Sequence, residues 1–204
     1  VCAVKSAADR SYSLVDSLLA ISGESSLQMQ AVDLNTLLNH WAISEQARFP
    51  NYVIEVNVDA QLPPVDADPK LLLDAVEMIA ENAREAMPTG GVLRLDTGLR
   101  SPAQPGSTRR EIAIDIQDSG PGIQMEDRSR IFDPFFTTRQ HRNAAGLGLA
   151  AVRGILAQFG GSATLLPSEE RGARFRLTLK PREQQNETAQ RDNSGRSKTV
   201  WLVE

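Results

Sequence analysis

Residues 118–150 read DSGPGIQMEDRSRIFDPFFTTRQHRNAAGLGLA. In order, they hold a glycine turn, an aromatic block, a polar loop and a second glycine turn. The run before them, EIAIDIQ at 111–117, alternates Ile112, Ile114 and Ile116 with other residues, as a half-buried strand does. Asp118 therefore stands at a strand end. A carboxylate there accepts hydrogen bonds and donates none, which suits an exocyclic amine such as that of adenine. Gly120 and Gly122 let a ligand come close to the backbone. Taken alone, the pentapeptide DSGPG is an ordinary Asp-Gly turn.

The aromatic block, IFDPFFTTR at 131–139, packs three of the chain's six phenylalanines into five residues. One reading is a hydrophobic plug, with Phe132 in it. The other is a plug that anchors a movable loop. That loop, 139–145, carries Arg139 and Arg142, both of a type that binds phosphate oxygens. GLGLA at 146–150 then opens a helix whose apolar positions Leu149, Val152, Ile155, Leu156 and Phe159 recur at helical spacing. A glycine-rich loop running into a helix N-terminus favours anions, because free N–H groups and the helix dipole point at it.

This order of elements resembles the ATP-binding domain of sensor histidine kinases, within the larger group that includes Hsp90, gyrase B and MutL. DSGPGI (Asp118, Gly120, Gly122, Ile123) is similar to the first glycine box, FDPFFTTR (ending in Thr138 and Arg139) to the phenylalanine box, and GLGLA (Gly146, Leu147, Gly148, Leu149) to the second glycine box. Upstream, ENAREAM at 81–87 resembles the asparagine box; downstream, RGARF at 171–175 resembles the third glycine box. The likeness covers roughly residues 34–180, and five boxes in sequence are specific as a set. It implies a nucleotide site built from Asn82, Asp118, Gly120, Gly122, Ile123, Thr138, Arg139, Arg142, Gly146, Leu147, Gly148 and Leu149, with ATP and Mg²⁺ as its cofactors. Asn82 is the implied metal ligand: an asparagine inside a helix has poor propensity, and hard cations such as Mg²⁺ take oxygen ligands, few of them from protein.

The chain is slightly acidic, with net charge −4 and both signs mixed, and carries no nucleic-acid footprint. Its single cysteine, Cys2, excludes an intrachain disulfide and fits a reducing compartment. No apolar run approaches about 18 residues, so no membrane contact is expected of this chain, and no stretch reads as a signal peptide. A cytoplasmic location is expected, with membrane anchoring of a parent protein left open. The start at Val1 and the stop inside an apolar run read as a piece of something longer.

In order, the chain parses as follows. Residues 3–22 form an amphipathic helix: Val4, Ala8, Ser11, Val15, Leu18 and Ser22 follow a 4-3-4-3-4 spacing. It reads as a helix packed on the same domain or as one strand of a dimer bundle. The resemblance implies the end of the second dimerisation helix and its connector, 1–32. A helix capped by Asp33 runs to about Arg48, and 51–58 is a strand. The run 61–65, with Pro63-Pro64, is a rigid connector. Asp66 or Asp68 caps the next helix, which begins near Pro69, buries Leu71, Leu72, Ala75, Val76, Ile79, Ala83 and Ala86, and stops at Pro88. Strands at 90–97, 111–117, 162–166 and 173–179 follow, with an exposed loop at 101–110. The expected fold is α/β: a two-layer sandwich of the Bergerat type, with a mixed sheet of about five strands and three helices on one face, preceded by the N-terminal helix. This ATP-binding domain spans 33–180. Residues 181–198 are a polar linker, and 199–204 resemble the first strand of a receiver domain.

Two further features bear on chemistry. In ATP-hydrolysing relatives a glutamate one turn before the asparagine activates water; Met78 stands there, and Glu77 and Glu81 point off the face of Asn82. Neither His40 nor His141 has the context of a phospho-acceptor. Departures from the family pattern lie in the lid, where Arg142, Ala144 and Ala145 replace glycines and a threonine, and at Ala173, where a hydroxyl residue is common. ATP binding is expected, though weakened. The expected function is the ATP-binding catalytic domain of a sensor histidine kinase, donating the γ-phosphate to a histidine outside this chain. The alternatives are a catalytically weak ATP-binding or dimerisation module and, disfavoured by Met78, an ATPase. Expected partners are the phospho-accepting dimerisation domain of the same parent, a receiver domain or response regulator, and a second copy in a homodimer.

Overall fold

The computed structural model describes residues 27–101, 110–138, 145–168 and 171–182. The expected N-terminal helix, most of the polar linker, the receiver-like strand, and Arg139 and Arg142 lie outside the described residues. The main sheet has five strands: β2 (Tyr52–Asn57), β4 (Gly91–Arg100), β5 (Glu111–Asp118), β6 (Ser162–Leu166) and β7 (Arg174–Leu179). Their order is β2-β4-β5-β7-β6, with β2 and β4 parallel and every other neighbouring pair antiparallel. The mixed five-stranded sheet is therefore as expected.

Three helices cover one face: α1 (Leu34–Arg48), α2 (Pro69–Ala86) and α3 (Gly148–Gln158). Period-2 alternation explains which face. Leu93 and Leu95 on β4, Ile112, Ile114 and Ile116 on β5, and Phe175, Leu177 and Leu179 on β7 all enter one core with the helix stripes. On α2 that stripe is Leu72, Ala75, Val76, Ile79, Ala80 and Ala83, at i, i+3, i+4, i+7, i+8 and i+11. Leu72 and Ile79 are almost wholly buried, and each such side chain contributes about 2 kcal/mol of transfer free energy. Among the described residues no helix is long and apolar enough to cross a membrane.

The opposite face of the sheet is polar. Asp115, opposite Asp96 on β4 and Arg176 on β7, is 1% exposed because two arginines lie over it. Arg176 donates to both its oxygens at 2.6 and 2.7 Å, and Arg174 Nη2 donates at 2.8 Å. Burial pushes the Asp115 carboxyl up. The hydrogen bonds and charges of Arg176 and Arg174 outweigh that and hold it below its ordinary 3.8.

The helix starts are capped as the sequence suggests. Asp33 accepts from Asn35 N (2.9 Å) and Thr36 N (3.3 Å). Of the two candidate caps for α2, the structure uses Asp68, which accepts from Lys70 N (3.0 Å) and Leu71 N (3.3 Å). Two features were not anticipated. A small antiparallel sheet pairs β1 (Gln30–Val32) with β3 (Val65–Ala67), because β3 emerges directly from the proline connector. Three-residue strands carry no periodic signal. Glu45 occupies an α1 stripe position among Leu34, Leu38, Trp41 and Ala42, and is buried there by Arg84 and Arg48.

Candidate nucleotide site

The alternation that buries Ile112, Ile114 and Ile116 also turns Asp118 inward at the end of β5, where it is 7% exposed. Its Oδ1 accepts from Gly120 N at 2.8 Å, and its backbone N–H donates to Ala173 O at 3.0 Å. Two glycine segments distant in sequence meet here. A Cβ on Gly172 would stand 1.7 Å from Asp118 O and 3.0 Å from its Oδ1, and Gly172 has φ +110°. No side chain fits that space or that backbone. A Cβ on Gly122 would stand 3.0 Å from Gly172 O. The first and third glycine boxes are thus one corner, folded around a single carboxylate.

That corner rests on the last turn of α2. A Cβ on Gly120 would lie 3.3 Å from Met87 Cγ and 3.4 Å from Ala86 Cβ. Ser119 Oγ accepts from Val92 N (3.0 Å) and contacts Met87 Sδ at 3.3 Å, which holds the turn against β4. Met87 is 5% exposed and closes the corner from below. Sequence reading missed it as a site residue, because an apolar residue ending a helix looks like ordinary core.

Asn82 lies one helical turn before Ala86, about 6 Å along the axis. Its Nδ2 donates to Met78 O at 3.0 Å, so the amide is oriented by its own helix. The same Nδ2 lies 3.9 Å from where a Cβ on Gly148 would be. Asn82 therefore faces the first turn of α3. That helix has Leu147 as N-cap and no side-chain cap hydrogen bond, so its leading N–H groups are of the kind that anions take. Leu147 is buried and Leu149 packs against the core, which seats α3 against α2.

Gly146 sets the start of this turn. It has φ +66°, and a Cβ there would stand 2.6 Å from Phe135 C. Phe135 N donates to Gly146 O at 2.8 Å, so the residues on either side of the lid segment are joined backbone to backbone. Phe135 itself has φ +66°, costly for an aromatic residue, and is 70% exposed. Phe132 is buried, stacked edge-on with Phe175 and covered by Arg153 at 4.0 Å, as the plug reading expects.

The remaining residues divide as follows. Ile123 packs against the core beside the Asp118 turn, and its carbonyl accepts from Arg128 Nε at 3.1 Å. Thr138 is exposed on the loop after Phe136. Glu77, which the spacing places off the face of Asn82, accepts from Trp41 Nε1 at 3.1 Å and pairs with Arg84. Among the described residues no cluster of three His, Cys, Asp or Glu side chains is placed to hold a metal ion.

A buried acceptor, two glycine turns and an oxygen-bearing amide beside an uncapped helix N-terminus thus line one face of α2 and its surroundings. Similarity to known proteins points the same way. Residues 67–183 match the family described as histidine kinase-, DNA gyrase B-, and HSP90-like ATPase. The sensor histidine kinase ZraS of Escherichia coli O157:H7 is 36% identical over 174 residues, which is 84% of this chain and 36% of that protein. The sensory histidine kinase/phosphatase NtrB of Azospirillum brasilense is 33% identical over 180 residues, 84% of this chain and 44% of that protein. The crystal structure of full-length ShkA in complex with AMPPNP superposes with a TM-score of 0.68 at 28% identity, covering 87% of this chain and 37% of that one. This chain therefore spans less than half the length of each of these relatives. With more than half of its own residues matched by the signature, the chain belongs to the histidine kinase-, DNA gyrase B- and HSP90-like ATPase family.

Proposed function

We propose that this chain is the ATP-binding catalytic domain of a sensor histidine kinase, and that it presents the γ-phosphate of Mg-ATP to a histidine on a dimerisation domain. The observation that carries the reading is the common face of α2. Ala86 lies beside the Gly120 turn of Asp118, and Asn82, one turn away, lies beside the start of α3. An adenine amine on Asp118 and phosphates at the α3 N-terminus are then held by one rigid element.

The roles follow from donor and acceptor chemistry. Asp118 accepts from the adenine amine, and its lone-pair direction is set by the Gly120 N–H. Gly120, Gly122 and Gly172 let the backbone close tightly around Asp118, which fixes the carboxylate at the corner where the base is proposed to bind. Gly146, Leu147, Gly148 and Leu149 offer backbone N–H groups at the α3 start, while Ile123 supplies apolar contact. Thr138, Arg139 and Arg142 are assigned to the phosphates by resemblance. Asn82 offers one neutral oxygen, a donor type that fits Mg²⁺. When bound, Mg²⁺ neutralises phosphate charge during transfer. Met78 occupies the position one turn before Asn82, and Glu77 is held by Trp41 and Arg84, which disfavours Glu77 as a water-activating base.

On this reading, 1–32 is the end of the dimerisation helix with its connector, 33–180 the catalytic domain, 181–198 a linker and 199–204 the start of a receiver domain. The partners are the acceptor domain of the same parent, a receiver domain or response regulator, and a second copy of the parent, in the cytoplasm. On this reading neither nucleic acid nor membrane is a partner of this chain itself, and membrane anchoring of the parent is left open. The test is labelled ATP mixed with this chain and a separate histidine-bearing dimerisation domain. Transfer of label to that domain is the expected result. Binding without transfer favours a non-catalytic module, and steady phosphate release favours an ATPase.

A further inference from the structure

The short strand β3 joins three parts of the chain. On one edge it pairs with β1, in the register Gln30↔Ala67, Ala31↔Asp66 and Val32↔Val65. On the other it receives the segment leaving β7: Val65 bridges to Pro181, and Arg182 N donates to Pro64 O at 2.8 Å. Arg182 Nη1 also lies 3.3 Å from Asp66 Oδ1. One residue past β3 is Asp68, the cap of α2. Its Oδ1 takes the first-turn N–H groups of Lys70 and Leu71, and its Oδ2 takes Gln28 N at 2.9 Å. A single buried carboxylate therefore holds both the incoming chain and the start of the helix that carries Asn82.

We propose that β3 is a clasp that couples the incoming chain at 27–32 to the outgoing chain at 181–182, and both to the N-terminus of α2, with Asp68 as its positioning residue. Both segments attach to the same short stretch, residues 64–67, so a displacement of either moves a neighbour of the other. Coupling of this kind is reciprocal: the factor by which docking of the incoming segment tightens the outgoing one equals the factor by which the outgoing segment tightens the incoming one. The structure gives this clasp a contiguous hydrogen-bonded path, from Arg182 through Pro64 and β3 to Asp68 and Gln28. Chain attached beyond residue 182 is thereby linked, through β3, to the chain that enters at residue 27. The coupling is a property of the clasp itself; its consequence for phosphate transfer rests on the kinase reading.

Amide hydrogen exchange on the full 204-residue chain tests the clasp. Gln28→Pro removes the N–H that bonds Asp68 Oδ2 and leaves the helix cap in place. Arg182→Pro removes the N–H bonded to Pro64 O together with the side chain that pairs with Asp66. Each variant is read at the far end: the Arg182 amide in the first, the Gln28 amide in the second. The expected result is exchange faster by about fivefold at the far end, the equilibrium factor of one net hydrogen bond, with the Ile114 amide in β5 unchanged. Far-end exchange that stays at the parent rate overturns the proposal. Where a proline variant also speeds Ile114, Arg182→Ala decides in its place, with an expected rise of about twofold at Gln28 for a half-exposed ion pair and the same overturning result. ATP titration of the unsubstituted chain separates the two readings: absent binding refutes the kinase and leaves the clasp standing, whereas unchanged far-end exchange with intact binding does the reverse.

Discussion

Asp118→Asn isolates the contact proposed to select adenine. The side chain is 7% exposed, and one oxygen already takes the Gly120 N–H at 2.8 Å. Asparagine keeps an acceptor for that N–H, so the turn and the fold survive. What changes is the atom aimed at the base: an acceptor becomes an NH₂ donor. Adenine presents an amine donor at its 6-position, so a charge-assisted hydrogen bond becomes two facing donors. A hydrogen bond to a charged group contributes roughly 1.5–3 kcal/mol, which corresponds to an ATP affinity lower by about 10- to 150-fold. Guanine carries an acceptor at the same position, so the ratio of GTP to ATP affinity rises in the variant. Isothermal titration with ATP and GTP measures both constants, and a urea melt checks that stability is held within about 1 kcal/mol of the parent. Unchanged ATP affinity in a folded variant refutes the assignment of Asp118. A fall in both affinities by equal factors refutes the donor–acceptor argument while keeping the location.

Three other outcomes follow from the same geometry. Gly172→Ala places a Cβ 1.7 Å from Asp118 O at a φ of +110°, so the β5 and β7 ends must part; a loss of at least about 2 kcal/mol in urea unfolding is expected, together with loss of ATP binding. Asn82→Ala removes the oxygen proposed to hold the metal, and the gain in nucleotide affinity brought by Mg²⁺ should shrink by at least about tenfold while metal-free binding is retained; titrations with and without Mg²⁺ measure this. Asp115, whose folded-state carboxyl lies below its ordinary 3.8, adds stability that is present in full above that value and is lost as pH falls through the lower folded one. Acid unfolding of Asp115→Asn followed by circular dichroism should therefore show a weaker dependence on pH below about 4 than the parent, on top of lower stability at neutral pH from two uncompensated arginines. An unchanged acid profile counts against the pairing.

Much of this protein was legible from local signals. The alternation of Ile112, Ile114 and Ile116 decided both that β5 is a strand and that Asp118 ends it facing inward. Of the expected α2 stripe, Leu72, Ala75, Val76, Ile79 and Ala83 are buried, whereas Leu71 and Ala86 near its ends are only partly so; Asp33 and Pro69 marked helix starts, because caps and periodicity act within one turn of the chain. The order of the five boxes carried the family, and the structure adds where they meet.

Contacts between segments far apart in sequence were not legible. Glu45 reads as a surface acid until Arg84, 39 residues on, lies against it. Gly172 reads as a turn residue until its missing side chain proves to be the space taken by Asp118 O. β1, β3 and Arg182 read as connector and tail, since three-residue strands have too few alternations to show a period and are stabilised only by partners from elsewhere in the chain. Local order along the chain thus determined the elements and the types of group in the site. Only the packing of those elements decided that Asp118, Asn82 and the α3 N-terminus share one face, because adjacency across 30 to 66 residues is settled by which apolar faces bury together, not by the residues beside each group.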